Sequence, residues 1–504
     1  MAPSFSQIPS NLRVPLFWAE VDASAASTST GDNPKSLLIG QKKSTGSATA
    51  NQPVMITSEA LAQTLFGFGS ELHRMIVSYL AQDPFGELWA IPLTDGVGVA
   101  GTLTLTVSGT ATESGTIHLY LAGRKVEVGV VNGDTASTVV TAMVAAITNS
   151  LLPLGVTSAD GAGDTVVITH DHHGTIGNSY DVRASYYGPG AGERLPAGIT
   201  VTAGGNSIEA TPAVLASGAT DPSFATAITN MGDEPFDYIA FGVSTTTVLG
   251  LIEAELLDRW SALKQVYGLA FTSVRDTVAN LYTFGDARNS PYVSILGHTL
   301  VPSCNGEIAA AYAGVSAREL RNDPARPLQS LALSGILPPR IGDVFSATNR
   351  NSLLFQGISV AHRAGGAYRL TAAITEYQEN GAGNADDSYL YVETLATLQY
   401  VLRYLKSRIE QKYPNHKLAN DGTRYGAGQA IVTPSIIRGE LVAAYLDLME
   451  LGLVENIDAF VENLTVTRNS QNPNRLDVLY PPDLVNGLRV FALLMQFRLQ
   501  YAAN

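Results

Sequence analysis

At 504 residues the chain is long for one domain, and three or four are expected. Hydrophobic residues make up 45%, enough for sizeable cores, while charged residues make up only 15% against a usual share of about 25%, which suits a surface largely taken up by contacts. The net charge of -14 without a basic stripe argues against nucleic acid as a direct partner, and the single cysteine, Cys304, excludes an internal disulfide or a thiolate metal cluster.

Residues 1–34 alternate Val14, Leu16 and Trp18 with Phe17, Ala19 and Val21, then run into a Ser/Thr/Gly stretch. An extended arm and an ordinary edge strand of the first domain both fit this pattern. From Ser36 the chain alternates strand and helix: strands at Leu37–Gly40 and Glu87–Leu93, helices at Ser58–Phe66 and Ser70–Gln82. The alternation resumes with helices at Ser223–Met231, Thr246–Gln265 and Arg275–Ala287 and strands at Phe236–Val243, Gly268–Val274 and Pro291–Leu296. Strict alternation predicts a mainly parallel, layered sheet, so one α/β core domain, residues 35–96 and 206–385, is split in two.

Residues 97–205 split it. They lack Phe and Trp, alternate like strands at Thr102–Val107, Gly115–Leu121, Lys125–Val130 and Thr165–His170, and hold one helix, Thr135–Asn149. This reads as an inserted β-rich domain. A helix near Ser303–Arg318 and strands near Gly357–His362 and Tyr368–Ile374 complete the core.

Residues 386–484 predict an α+β domain. Tyr391, Leu395, Leu398, Leu402, Leu405 and Ile409 form an apolar helical stripe beside Arg403, Lys406, Arg408 and Lys412. A second helix starts with Thr433 as its cap and Pro434 in its first turn, and a strand is expected at Phe460–Val466. After Pro481 and Pro482, residues 485–504 carry an unbroken apolar run. Read at period two, Phe491, Leu493, Met495, Phe497, Leu499 and Tyr501 share a face, and Val490 belongs to the same run. A terminal strand this apolar must be covered by its own domain or by another molecule, and it reads as an assembly arm.

Asn472-Pro-Asn-Arg-Leu-Asp-Val-Leu-Tyr-Pro-Pro-Asp-Leu-Val-Asn-Gly-Leu-Arg-Val-Phe-Ala, with Gln496-Phe-Arg-Leu after it, resembles the C-terminal end of contractile phage tail sheath proteins of the Mu-like type. Ile8-Pro-Ser-Asn-Leu-Arg-Val-Pro-Leu-Phe-Trp-Ala-Glu is similar to that family's N-terminal arm. The resemblance implies a helical sleeve of many copies around a tail tube, an insertion on its outer surface, and a C-terminal domain facing the tube. It implies as partners the chain itself, the tube protein, and baseplate and tail terminator proteins. No direct contact with nucleic acid or membrane follows from it. The location implied is the virion tail, assembled in a bacterial host's cytoplasm. Val14, Leu16, Phe17, Trp18, Val490, Phe491, Leu493, Met495, Phe497 and Leu499 then become intersubunit arm contacts, and Arg403, Lys406, Arg408 and Lys412 the tube-facing group. A bacteriocin or secretion-type injection device would read the same way, and an α/β hydrolase-like enzyme is the rival from another class.

The chemistry favours a structural protein without catalytic residues, cofactor or metal. Gly96, Gly98 and Gly101 have dinucleotide spacing, but Thr102-Leu-Thr-Leu-Thr-Val after them predicts a strand where the fingerprint needs a helix. His170, Asp171, His172 and His173 could offer metal ligands and are read as a turn instead. Ser303 beside Cys304 reads as a helix start, and neither a nucleophile elbow nor a phosphate loop occurs.

Overall fold

The computed structural model describes residues 34–499. It begins with β1 (Lys35–Gln41), followed by β2 (Val54–Ile56), α1 (Glu59–Phe66), α2 (Glu71–Leu80) and β3 (Glu87–Leu93). Leu37, Leu38 and Ile39 are consecutive and all buried, as a strand covered on both faces requires. Ser58 and Ser70 cap the two helices by accepting the N–H groups of Leu61 and His73.

A long β-rich stretch follows: β4 (Ala100–Gly109), β5 (Gly115–Leu121), β6 (Arg124–Val130), α3 (Ala136–Thr148), β7 (Val156–Gly161), β8 (Thr165–His173), β9 (Asp181–Ala184), β10 (Ile199–Ala203), β11 (Asn206–Ser207) and β12 (Ala213–Val214). These strands form a five-stranded sheet, β11-β10-β4-β8-β7, and a four-stranded sheet, β12-β9-β5-β6, which share one core with α3. Two expectations are corrected here. The far boundary does not fall at 205, because Ala216 and Ala219 still bridge to Thr102 and Val99. His170–His173 are the end of a paired strand and not a turn. Gly98 stands where a Cβ would lie 2.0 Å from the Ala219 carbonyl oxygen, so close approach of backbone explains it, and a strand, not a helix, follows.

The chain then returns through α4 (Ala225–Met231), β13 (Tyr238–Phe241), α5 (Thr246–Arg259), β14 (Leu269–Arg275), α6 (Val278–Asp286), β15 (Val293–His298), α7 (Asn305–Asn322), α8 (Ala347–Leu354), β16 (Ile358–Ala364) and β17 (Ala367–Ala372). All of these strands join one eight-stranded sheet, β17-β16-β15-β14-β13-β1-β3-β2. β1 pairs in parallel with β3 on one side and β13 on the other, so chain from either side of the β-rich stretch meets in neighbouring strands. α7 crosses α2 closely because its contact face is small: a Cβ on Gly314 would already lie 3.0 Å from the Tyr79 carbonyl oxygen. The helix expected at Thr246–Gln265 stops at Arg259. The chain reverses there, with Gln265 and Tyr267 at positive φ and the Trp260 indole donating to the Gly268 carbonyl.

The C-terminal stretch holds α9 (Val392–Lys412), β18 (Lys417–Leu418), β19 (Ile431–Val432), α10 (Pro434–Glu450), α11 (Ile457–Asn463), β20 (Thr465–Arg468) and β21 (Leu476–Leu479). Thr433 caps α10 by accepting the Ile436 N–H. The strand expected at Phe460–Val466 is a correction: most of it is α11. Ile457, Phe460, Val461 and Leu464 recur at helical spacing, and Phe460 stacks on Tyr445 of α10 with ring centroids 3.8 Å apart. Residues 485–499 belong to no strand, against the strand arm read from the sequence.

Candidate assembly interface

The C-terminal run is fastened at its root and bare beyond it. Val485 N–H donates to the Leu453 carbonyl at 3.2 Å, and Glu455 N–H to the Asp483 carbonyl at 2.9 Å. The Gln329 amide donates to the Leu488 carbonyl at 3.0 Å. Gly487 passes so close to Pro327 that a Cβ would lie 2.6 Å from the proline ring. Arg489 lies over the Tyr391 ring, 4.2 Å from its centroid, and pairs with Glu393. Beyond this clamp, exposure runs from 69% at Leu493 to 95% at Leu499, with Val490, Phe491, Leu494, Met495 and Phe497 in between. Both parities are equally open, so among the described residues nothing covers the period-two face read from the sequence. Covering these side chains would contribute on the order of 10 kcal/mol, from about 1.5–3 kcal/mol each, which is comparable with the cost of ordering the run. Val14, Leu16, Phe17, Trp18 and Tyr501 lie outside the described residues.

Close to this run in sequence lies a sheet of only two strands. β20 and β21 pair antiparallel from Thr465↔Leu479 to Arg468↔Leu476, and among the described residues nothing pairs with either outer edge. Val478 and Leu479 on β21 are exposed. Unpaired edges of this kind accept further strands.

The basic residues of α9 do not form an open patch. Arg403 pairs with Asp237 and stands over the Tyr267 ring. Arg408 pairs with Glu440 and Asp447 of α10, and Lys412 with Glu440 at 2.7 Å. Burial apart, the Arg408 and Lys412 partners hold Glu440 below the usual carboxylate range. Lys406 is exposed and makes no ion pair among the described residues.

A second polar cluster, which the sequence did not reveal, joins the β-rich stretch to the eight-stranded sheet. Arg74 of α2 is 1% exposed. It donates to Glu307 of α7 at 2.9 Å and to the Cys304 sulfur at 3.4 Å, and lies 3.4 Å from His170 Nε2. Arg124 of β6 reaches the same Glu307 carboxylate at 2.9 and 3.1 Å. His172 Nε2 accepts the Glu71 N–H at 3.0 Å, and its Nδ1 lies 2.8 Å from Asp95. Asp181 is shared by Arg183 and Arg275, each holding it at 2.8 Å. Burial, together with the Arg74 charge, holds His170 well below its ordinary range, and burial pushes the Cys304 thiol up to about 11. A thiol that is protonated at neutral pH is no nucleophile. Among the described residues no group of three or more His, Cys, Asp or Glu side chains could hold a metal ion. The signal that could have found the cluster was the period-two placement of His170 and His172, both buried on one face of β8.

Comparison with known proteins bears on these surfaces. Residues 217–376 match the phage tail sheath protein central domain, and residues 384–498 the phage tail sheath C-terminal domain. The Mu-like prophage FluMu tail sheath protein of Haemophilus influenzae is 41% identical over 501 residues, 99% of this chain and 100% of that protein. Among solved structures, a sheath tail protein of Listeria innocua is 13% identical, with 92% of this chain and 95% of that one aligned at a TM-score of 0.49. The helical sheath of the anti-feeding prophage in its contracted state is 12% identical, with 97% and 100% aligned at a TM-score of 0.48. The structural likeness is slight, and the weight rests on the sequence relationship.

Proposed function

The chain belongs to the phage tail sheath family, as a structural subunit of a contractile tail sheath and not an enzyme, and on that footing we propose that its two ends are the arms that knit copies into a helical sleeve around a tail tube. The observation that carries this is the run from Val490 to Leu499, whose large apolar side chains are exposed among the described residues. A neighbour's β20–β21 sheet offers edges on which such a run gains ladder hydrogen bonds as well as burial, a β-augmentation between chains. Val490, Phe491, Leu493, Met495, Phe497 and Leu499 would make these contacts, together with Val14, Leu16, Phe17 and Trp18 of the N-terminal arm.

The division that goes with this function is an arm over 1–34, a split α/β core, a β-rich outer insert, an α+β unit and a C-terminal arm over 485–504. Rigid bodies joined by arms can rotate and slide while their connections survive, and new side-to-side contacts in the shortened sleeve would lower its free energy relative to a metastable extended one. Shortening drives the tube through a bacterial envelope. The partners are further copies, the tube protein, and baseplate and terminator proteins, met in the host cytoplasm where the tail is built. On the tube-facing side, Arg403, Arg408 and Lys412 are engaged within the subunit, so Lys406 is the residue of the group with charge to offer.

Truncation after Arg489 tests the arm. It leaves the root clamp intact, so the expected product is a folded, monomeric subunit that forms no sleeves by electron microscopy. Sleeves from the truncated chain would overturn the reading.

A further inference from the structure

Helix α9 belongs to two cores at once. Its first turns place Val392, Leu395 and Ala396 among the side chains packed on the eight-stranded sheet, while Val401, Tyr404 and Leu405 pack with α10 and α11. Where it passes from one to the other, Gln399 and Arg403 both donate to Oδ1 of Asp237. The other oxygen, Oδ2, accepts the backbone N–H of Lys35 at 2.8 Å, and the Asp237 N–H returns a bond of 2.8 Å to the Lys35 carbonyl. Asp237 is 2% exposed. Lys35 is the first residue of β1, so one buried carboxylate holds both the helix that leads into the C-terminal stretch and the point where the N-terminal segment enters the sheet.

From this convergence we infer that Asp237 is a latch: it fixes the angle between the C-terminal stretch and the eight-stranded sheet, and because it shares its carboxylate with the Lys35 amide, a pull on the N-terminal segment loosens that angle. A charge-assisted bond in a dry site is strong and short-ranged. The Lys35 amide on Oδ2 orients the carboxylate, so drawing Lys35 away frees Oδ1 from the position in which it meets Arg403 and Gln399. The first turn of α9 also holds the root of the other end, through Tyr391 and Glu393 against Arg489. At about 1.5 Å per residue, Glu393 and Arg403 lie roughly 15 Å apart along one rigid helix. The latch is a feature of the single subunit. Its role in a sleeve rests on the reading of residues 1–34 as an arm held by a neighbour.

The test uses full-length protein with spin labels at Leu257→Cys on α5 and Glu410→Cys on α9, both exposed positions, while the native Cys304 is buried and stays unlabelled. The expected result is one narrow distance for the parent. Asp237→Asn and Arg403→Ala should each add a second, broad population, with the unlatched fraction raised about tenfold or more. Arg408→Ala, whose partners lie on α10 and on α9 itself, should leave the distance unchanged. If Asp237→Asn disturbs folding, as a shifted melting curve would show, Arg403→Ala decides alone. Parent-like distributions in the folded variants overturn the latch. In assembled sleeves the Arg403→Ala form should contract at a lower urea concentration than the parent, and an equal threshold removes the latch from the transition. Sleeves formed by the chain truncated after Arg489 would sink the arm reading but leave the distance measurement standing.

Discussion

Two parts of the subunit invert the usual rule of apolar inside and polar outside. Between the β-rich stretch and the eight-stranded sheet, charged groups are buried: Arg74, Glu307, Asp181 and Arg183 are almost wholly out of water and paired with one another or with neighbours. In the C-terminal run, apolar groups stand in water: Phe491, Met495, Phe497 and Leu499 are all more than three-quarters exposed. The first region pairs its main charges within one chain, Arg74 and Arg124 on Glu307 and Arg183 and Arg275 on Asp181, and a misplaced partner would leave an ion stranded. The second leaves its large apolar side chains exposed among the described residues. On the proposed function, the paired region would keep a moving subunit whole while the bare run ties it to its neighbours.

The largest effect is expected from breaking the buried side of that contrast. Glu307→Ala strands Arg74 and Arg124 and should cost about 3–5 kcal/mol of stability, read as a shift in the denaturant midpoint. A loss under about 1 kcal/mol would mean that water reaches the cluster.

Acid attacks the same side. Burial, with the nearby guanidinium groups, lowers His73 to about 4 and His298 to about 3, so both stay neutral in the fold at a pH where the unfolded chain takes up protons. Between pH 6.5 and about 4 the unfolded state binds more protons, so their contribution is present above pH 6.5 and is lost on acidification, at up to about 1.4 kcal/mol per pH unit for each histidine. Glu71 and Glu376, whose carboxyls burial raises, act in the opposite sense: they favour the fold at low pH and lose that contribution as pH rises through their raised values. The clean measurement is therefore a difference. His298→Gln should flatten the stability curve below pH 6.5 relative to the parent, and parallel curves would contradict it.

The exposed side should behave oppositely. Phe491→Ser, Leu493→Ser and Phe497→Ser combined should change subunit stability by less than about 0.5 kcal/mol, as for substitutions away from a core, while sleeve yield collapses. A large fall in melting temperature would show that the run packs at home after all.

The smallest effect is expected at Lys406. Lys406→Glu should weaken co-assembly with the tube at low salt and have little effect at high salt, since an exposed charge is screened over about 10 Å at 0.1 M. Co-assembly unchanged at both would leave the α9 face without a tube contact.

Much of the sheet was legible because parallel, doubly covered strands are continuous apolar runs: Leu37–Ile39 and Tyr238–Phe241 read as strands and are strands. The Thr433-Pro434 start of α10 was legible because capping is local chemistry. α11 was misread because Phe460, Leu464 and Val466 also fit a period of two, and only Tyr445, a helix away, decides between the periods. Arg403 and Arg408 looked like a basic face because Asp237, Glu440 and Asp447 are distant in sequence, the nearest 32 residues from Arg408. The bareness of residues 490–499 was implicit in an unbroken apolar run that follows two prolines. The clamp at Arg489 was not, because stacking on Tyr391 is a matter of tertiary placement.

The continuity of α9 has a consequence for engineering and for descent. A helix whose first half completes one core and whose second half completes another has no seam at which to cut. A C-terminal fragment starting near residue 390 would carry Val392, Leu395 and Ala396 naked into solvent, and the remaining body would keep an empty socket. Exchange of the C-terminal stretch between related chains should therefore succeed only when the donor segment brings the surface that receives α9 along with it. Chimaeras joined within the Gly/Asn/Asp-rich stretch 380–388 would be expected to aggregate.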